Sequence, residues 1–489
     1  ASPSTIAQRA PTVVSCPGKV FLAGGYLVLD RAHQGYVVAT PSRFFTVVSE
    51  AQAQQGEQGA AAGGDRFAIE VVSPQFDDGR WRYEARREDG EWIFDEDKSQ
   101  GCVCHSLPRA RAVRRAGLEG SHPLVVSSRS SKLTLLPAPL QIRLEFVVHL
   151  SVRAALQVAS ALDPSASFRP LEVTIVGSND FYSQSRTVRP PFAPPYLERD
   201  KGTCDTVLAR PQDTPIPFAP LGCTIRDVHK TGLGSSAAMV TSLTSALVLH
   251  WTSSLDADAS SAPQQGRLPN PDAETVELLH NLAQYVHSLA QGKVGSGFDV
   301  STAIYGSQTY RRFAVECLGD LLSPDSSRES TVRPLPLSLL LSAFRERDLM
   351  PLPSTCLQIT GADLLAALSP SRNPAWTSPS TAGSVSSFAL PPHTLLVLAD
   401  VDAGSNTPSM VGKVLAWKKA NPDEAERVWR ELGDSNGRLR DSFAALGRRA
   451  GEDPEAYERE VVRLAGLPAS EVRPLELSPL HCLLEGRAS

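Results

Sequence analysis

The sequence predicts a protein of mixed α and β structure, on three observations. Apolar residues alternate with polar ones along short stretches of the first 90 residues, two glycine-rich turns in the middle of the chain lead directly into helical patterns, and amphipathic helices follow after residue 407. With 489 residues, 42% of them hydrophobic and 21% charged, the chain has enough apolar content for two or three packed domains. A balance of 48 basic against 53 acidic side chains gives a formal charge of -5. That balance offers no global attraction to nucleic acid or an anionic membrane, so any phosphate chemistry needs a local cluster of donors and the expected partner is a small molecule. No apolar run approaches the roughly 18 to 20 residues that span a bilayer and the first ten residues lack the apolar centre of a secretion signal, so a soluble, cytoplasmic protein without a membrane partner is expected. The eight cysteines are scattered, and Cys102 and Cys104, the one close pair, have no second pair at zinc spacing; all are read as free thiols.

Taken in order, residues 12–14 and 19–22 read as strands on either side of a turn at Pro17-Gly18. Further strands are expected at 43–49, at 66–73, where Phe67, Ile69 and Val71 alternate with polar neighbours, and at 80–85 after the Asp77-Asp78-Gly79 turn, making an antiparallel opening. Residues 51–64 are a loop by composition. Residues 101–143 carry Arg109, Arg111, Arg114 and Arg115 without any sustained period, which fits a solvated inserted loop, a basic binding patch, or sequence foreign to the working protein. A helix starts at Asn270-Pro271, shows Leu278, Leu279, Leu282, Val286 and Leu289 at helical spacing, and ends near Gly292. Residues beyond 312 become rich in Pro and Ser through 387 and suggest a linker region, after which 394–399 reads as a short buried strand and 408–419 and 423–446 as amphipathic helices.

The sharpest chemical signal is Lys230-Thr231-Gly232-Leu233-Gly234-Ser235-Ser236-Ala237-Ala238, followed by the apolar helical segment 239–250. Glycines let backbone approach an anion, and a following helix aims unpaired N–H groups and its positive dipole end at it. Lys230 precedes the glycines, so this is not the Gly-Lys-Ser/Thr phosphate loop, and the polar residues before it do not suit the strand of a dinucleotide fold. Gln291-Gly292-Lys293-Val294-Gly295-Ser296-Gly297-Phe298-Asp299-Val300 is the second motif; its Asp299 is either a helix N-cap or a carboxylate facing a charged ligand. Residues 400–407, between the expected strand and a helix, fit a ligand-binding turn or a plain one equally well.

Together with Pro17-Gly18-Lys19-Val20-Phe21-Leu22-Ala23-Gly24-Gly25-Tyr26, these motifs resemble the GHMP kinase superfamily and, within it, the phosphomevalonate kinases of fungal and plant type. Weaker similarity extends through 67–83, 144–159, Asp180 to Gln184, 305–313 and 399–419. Two features depart from the pattern: the family's proline before the glycine loop is missing, and so is its third glycine-rich motif near the C-terminus. The resemblance implies an α/β N-terminal domain like ribosomal protein S5 domain 2 over 1–318, with 101–143 as insertion, a linker region at 319–390, and an incomplete ferredoxin-like C-terminal domain over 391–489.

What the resemblance implies chemically is transfer of a phosphoryl group from ATP, with Mg²⁺, to phosphomevalonate. Lys19 and Asp299 would be catalytic, and Lys230, Gly232, Leu233, Gly234, Ser235, Ser236 and Ala237 would hold ATP, with Ser235 or Ser236 assisting Mg²⁺. Ser183, Gln184, Lys293 and Ser296 are candidates for the substrate side. Another small-molecule kinase of the superfamily, such as mevalonate kinase, and a nucleotide-binding homologue without turnover are the alternatives.

Overall fold

A computed structural model describes residues 9–51, 65–88, 90–94, 144–166, 168–183, 218–225, 227–253, 271–322, 359–398 and 407–467. The insertion at 101–143, Gln184 and residues 399–406 therefore lie outside the described residues.

Eight strands form one mixed sheet: β1 Thr12–Ala23, β2 Gly35–Glu50, β3 Arg66–Val72, β4 Arg80–Glu88, β5 Glu91–Phe94, β6 Leu171–Gly177, β7 Gln308–Arg311 and β8 Ser384–Ser387. The order is β5-β4-β3-β6-β2-β7-β8, with β1 along the other side of β2. Most pairings are antiparallel, but β3 and β6 run parallel, and the crossover between them includes helix α1, Leu144–Leu162. The alternation in Phe67, Ile69 and Val71 does place all three in the core.

The expected turn at Pro17-Gly18 is not formed, because β1 runs through it without reversing. Pro17 faces Arg43 while Lys19 faces Ala39, so β2 spends Thr40, Pro41 and Ser42 opposite Gly18. Proline has no N–H for the ladder, and the irregularity it tolerates re-aims the side chain that follows, which is Lys19.

Four helices carry the site or its support: α1, α2 Ser235–Thr252, α3 Ala273–Gln291 and α4 Phe298–Tyr305. α2 starts four residues earlier than the apolar pattern suggested, so the paired serines are its first turn. It is buried on nearly all sides, which is why it shows no polar face; its interior hydroxyls turn back on its own carbonyls, as in Thr244 Oγ1 to Val240 O at 2.8 Å. α3 is capped by Asp272, whose carboxylate accepts the Thr275 N–H, rather than by residue 270; Gly292 closes it in the left-handed conformation as expected.

Later elements revise two expectations. Within the supposed linker, α5 Gly361–Leu368 buries Leu364, Leu365 and Leu368 in the main core against α1, and β8 extends the sheet beside β7. Residues 394–398 form no strand; Leu395 and Val397 are 83% and 77% exposed, since no described strand pairs with them. The helices after them are α6 Thr407–Ala420, α7 Pro422–Glu452 and α8 Pro454–Ala465, the second extending beyond the expected end. α7 seats Ala425 and Trp429 on Leu27 in the short 3-10 helix Gly25–Leu29, with Trp417 stacked on Trp429. Among the described residues one helical stretch, 145–162 in α1, is long and apolar enough to cross a membrane, contrary to the sequence expectation; 67% of it is buried inside the protein, as for a core helix.

Burial separates the consequences of truncation. Leu247→Ala, at a fully buried position of α2, is expected to lower unfolding free energy by about 2–5 kcal/mol. Leu395→Ala should stay within about 0.5 kcal/mol of the unchanged chain in the same urea titration.

Candidate active site

The glycine loop is fixed from β1. The Lys19 N–H donates to Leu233 O at 2.8 Å, and its side-chain Nζ donates to Gly232 O at 2.9 Å. Two consecutive loop carbonyls are thus turned toward the strand, which leaves the helix start free to present its N–H groups outward. Gly18 makes the approach possible: a Cβ there would lie 2.8 Å from Leu233 O and 2.7 Å from the Phe181 ring. Gly234, the residue capping α2, has φ +78, and a Cβ on it would meet the Lys19 stem at 3.0 Å. No side chain caps α2. The first-turn amides of Ser235, Ser236 and Ala237 are thus left without a side-chain cap, the condition under which a helix start can receive an anion.

From the far side, Phe181 O accepts the Thr231 N–H at 3.1 Å, Asp180 O accepts the Thr231 hydroxyl at 2.7 Å, and Tyr182 bridges Lys230. Ser183 belongs to this support, its N–H donating to His229 O at 2.9 Å. Lys230 is exposed as a residue, yet the protein around it lowers its pKa by desolvation, and it lies beside the loop. Beside Lys230, Ser235 and Ser236 lies a cavity of about 20 Å³ walled by Phe44, Phe76, Trp81, Tyr182 and Met239, room for a water but not for a nucleobase.

Asp299 comes to the same place from the second motif. It is not the N-cap of α4, a role that falls to Gly297; it sits in the first turn, 21% exposed, with its carboxylate 3.8 Å from His287 Nδ1. Burial lowers the pKa of Lys19, and the negative charge of Asp299 opposes that shift. The Phe298 ring lies under the Lys19 ammonium at 5.7 Å and packs on Phe21 at 4.5 Å. The loop ahead of α4 is held by its own carbonyls: Arg312 Nη2 donates to Val294 O and Gly295 O, the Tyr310 hydroxyl to Ser296 O, and Gln284 Nε2 to Gly297 O. Lys293 is exposed, its N–H bonded to Ser288 O.

The structure therefore brings Lys19, Asp299 and the turn from Gly232 to Ala237 together, with Lys230 and Ser183 at the rim. Sequence reasoning missed His287, Gln284, Tyr310 and Arg312. The signal for the first two was present: His280, Gln284, His287 and Gln291 recur at helical spacing on α3, among the buried Leu278, Leu279, Leu282 and Val286. Among the described residues no group of three His, Cys, Asp or Glu could hold a metal unaided.

A glycine turn at an uncapped helix start, two lysines and a carboxylate are the residue types that binding a phosphate and moving a phosphoryl group call for. No family model matches the chain. The phosphomevalonate kinase of Aspergillus fumigatus is 30% identical over 471 residues, covering 92% of this chain and 74% of that one. That of Gibberella zeae is 31% identical over 439 residues, covering 88% and 72%. The solved phosphomevalonate kinase of Streptococcus pneumoniae, in complex with phosphomevalonate and AMPPNP, is 13% identical with a TM-score of 0.30, over 78% of this chain and 59% of that one. On the two sequence relationships, the chain belongs to the phosphomevalonate kinase family.

A charged Lys19 is present below its folded pKa and lost as pH rises through it, and burial sets that value below the ordinary lysine range. Activity should therefore fall on an alkaline limb that begins earlier than an unperturbed lysine would give. In Lys19→Arg the cation at that position persists, so the share of the limb set by Lys19 should move to higher pH in a pH–rate profile, and Lys230, whose pKa burial also lowers, should contribute its own share.

Proposed function

We propose that this protein transfers the terminal phosphoryl group of ATP to (R)-5-phosphomevalonate, giving (R)-5-diphosphomevalonate on the mevalonate route to isoprenoids. Membership of the family supports the reading, and the observation that carries it is the meeting of Lys19 with both the phosphate-binding turn and Asp299. The acceptor is itself a phosphate, whose second pKa is about 6, so it is already nucleophilic at neutral pH. Two polyanions must instead be brought into line and their charge neutralised, which calls for fixed cations and N–H donors.

In this reading the amides of Ser235, Ser236 and Ala237 hold the phosphate tail, and Lys230 faces it from the rim. Lys19, tied to Gly232 O, carries positive charge to the transferring group. Asp299 orients the lysine and the acceptor and is not required to take a proton. Lys293, Ser296 and Ser183 stand on the substrate side. The donor set also fits Mg²⁺: one carboxylate, Asp299, with the hydroxyls of Ser235 and Ser236, incomplete without phosphate oxygens, which is how this ion is commonly held. When bound, the ion would neutralise charge building up on the phosphates.

The test is product analysis after incubation with ATP and either phosphomevalonate or mevalonate. Diphosphomevalonate and ADP should form with the first and nothing with the second; ADP release with mevalonate alone would move the reading to another substrate, and tight ATP binding without turnover to a non-catalytic homologue. Lys19→Met should lower kcat on the order of 100- to 1,000-fold, and near-normal turnover in that folded variant would remove Lys19 from the mechanism.

A further inference from the structure

A second cavity, of about 360 Å³, opens where the short helix Gly25–Leu29, the chain just after β7 and the helices α6 and α7 meet. That volume lies in the range of sites that hold a small organic ligand. None of the residues given phosphate, substrate or metal contacts above lines it, so it is a separate place in the fold.

Its charges do not balance within the protein. Lys418 meets Asp30 at 2.9 Å, and these two match. Arg31 and Arg312 remain, both half-buried and adjacent, since Arg31 donates to Arg312 O at 2.8 Å. Arg31 otherwise donates to Thr381 O and Ala382 O, and Arg312 to the carbonyls of Leu29, Val294 and Gly295. Among the described residues no carboxylate lies within ion-pair distance of either guanidinium. A guanidinium carries five N–H donors and each of these uses three on carbonyls, so both have donors to spare. Burial lowers the pKa of Arg312 and the positive Arg31 lowers it further, while Glu316, the exposed acid left in the lining, opposes this. Beside the charges stands an apolar wall, with Phe313 and Trp429 buried and Leu415 46% exposed.

We propose that this cavity is a second ligand site, taking a phosphate monoester with an apolar ester group, its phosphate toward Arg31 and Arg312 and its apolar group against Trp429 and Leu415. Two guanidiniums facing one exposed acid suit a dianion, which a phosphate monoester mostly is at neutral pH, and their planar forks match its oxygens. A bare ion would leave the aromatic wall uncovered. The inference does not depend on which reaction the other site performs.

The probe is phenyl phosphate, titrated calorimetrically into the full chain. It should bind about 10- to 100-fold more tightly than inorganic phosphate, which lacks the ring, and more tightly than phenol, which lacks the charge. Glu316→Gln removes the opposing acid and should tighten binding about 3- to 10-fold, and Lys418→Gln, which leaves Asp30 unmatched, should weaken it by a similar factor. Lys19→Met should leave this affinity unchanged, which separates the cavity from the phosphate-binding turn. In chain labelled with 5-fluorotryptophan, the ¹⁹F signal of Trp429, assigned by its loss in Trp429→Phe, should shift with the same dissociation constant. Absence of binding, equal affinity for inorganic phosphate, or a Trp429 signal that stays in place while heat is released overturns the proposal. So does an affinity that falls in Lys19→Met and ignores Glu316→Gln and Lys418→Gln at equal melting temperatures.

Discussion

The site depends on one clasp between a strand and a loop. Lys19 bonds the glycine turn twice, through its backbone N–H to Leu233 O and through its ammonium to Gly232 O. Two carbonyls of the turn are thereby engaged by the strand, while no side chain caps the first amides of α2. Every neighbouring feature serves that contact. The β1–β2 irregularity beside Pro17 aims the lysine, Gly18 lets the loop come close, and Gly234 adopts a left-handed conformation above the lysine stem that a side chain would obstruct.

Holding an ammonium in this partly enclosed position has an electrostatic cost, visible as the lowered pKa of Lys19. Asp299 offsets part of it, and the Phe298 ring beneath the ammonium supplies a further attractive surface. The carboxylate and the ring are neighbours in sequence at the start of α4, so a single short helix delivers both. That helix is fixed in turn by Tyr310, Arg312 and Gln284, which bind the carbonyls of the loop before it. Lys19 therefore stands on a strand and Asp299 on a helix, and the loop just ahead of that helix is tied through its carbonyls.

Much of this was legible in the sequence, for identifiable reasons. Glycines with small residues behind announce a tight turn into a helix without any knowledge of the rest, and alternation in β3 or leucine spacing in α3 reports burial directly. Pro17-Gly18 misled because proline and glycine mark a turn and an interrupted ladder with the same letters, and only the pairing partner distinguishes them. The apolar run at 394–398 misled for a related reason: strand pattern describes a surface waiting for a partner, and no described strand provides one. The Pro- and Ser-rich stretch hid α5, whose eight residues are too few for periodicity to stand out. His287 was readable only as one member of a polar stripe on α3; which groups it meets depends on how α2 and α4 cross that helix, and this is a property of tertiary packing.

The measurement that bears most directly on the account is a crystal structure of the chain with Mg²⁺ and a non-hydrolysable ATP analogue. The account requires phosphate oxygens within hydrogen-bond distance of the amides of Ser235, Ser236 and Ala237, with the terminal phosphate between Lys19 and Asp299. A nucleotide bound with its phosphates away from the start of α2, or with Lys19 still held entirely by the loop and remote from them, would contradict it.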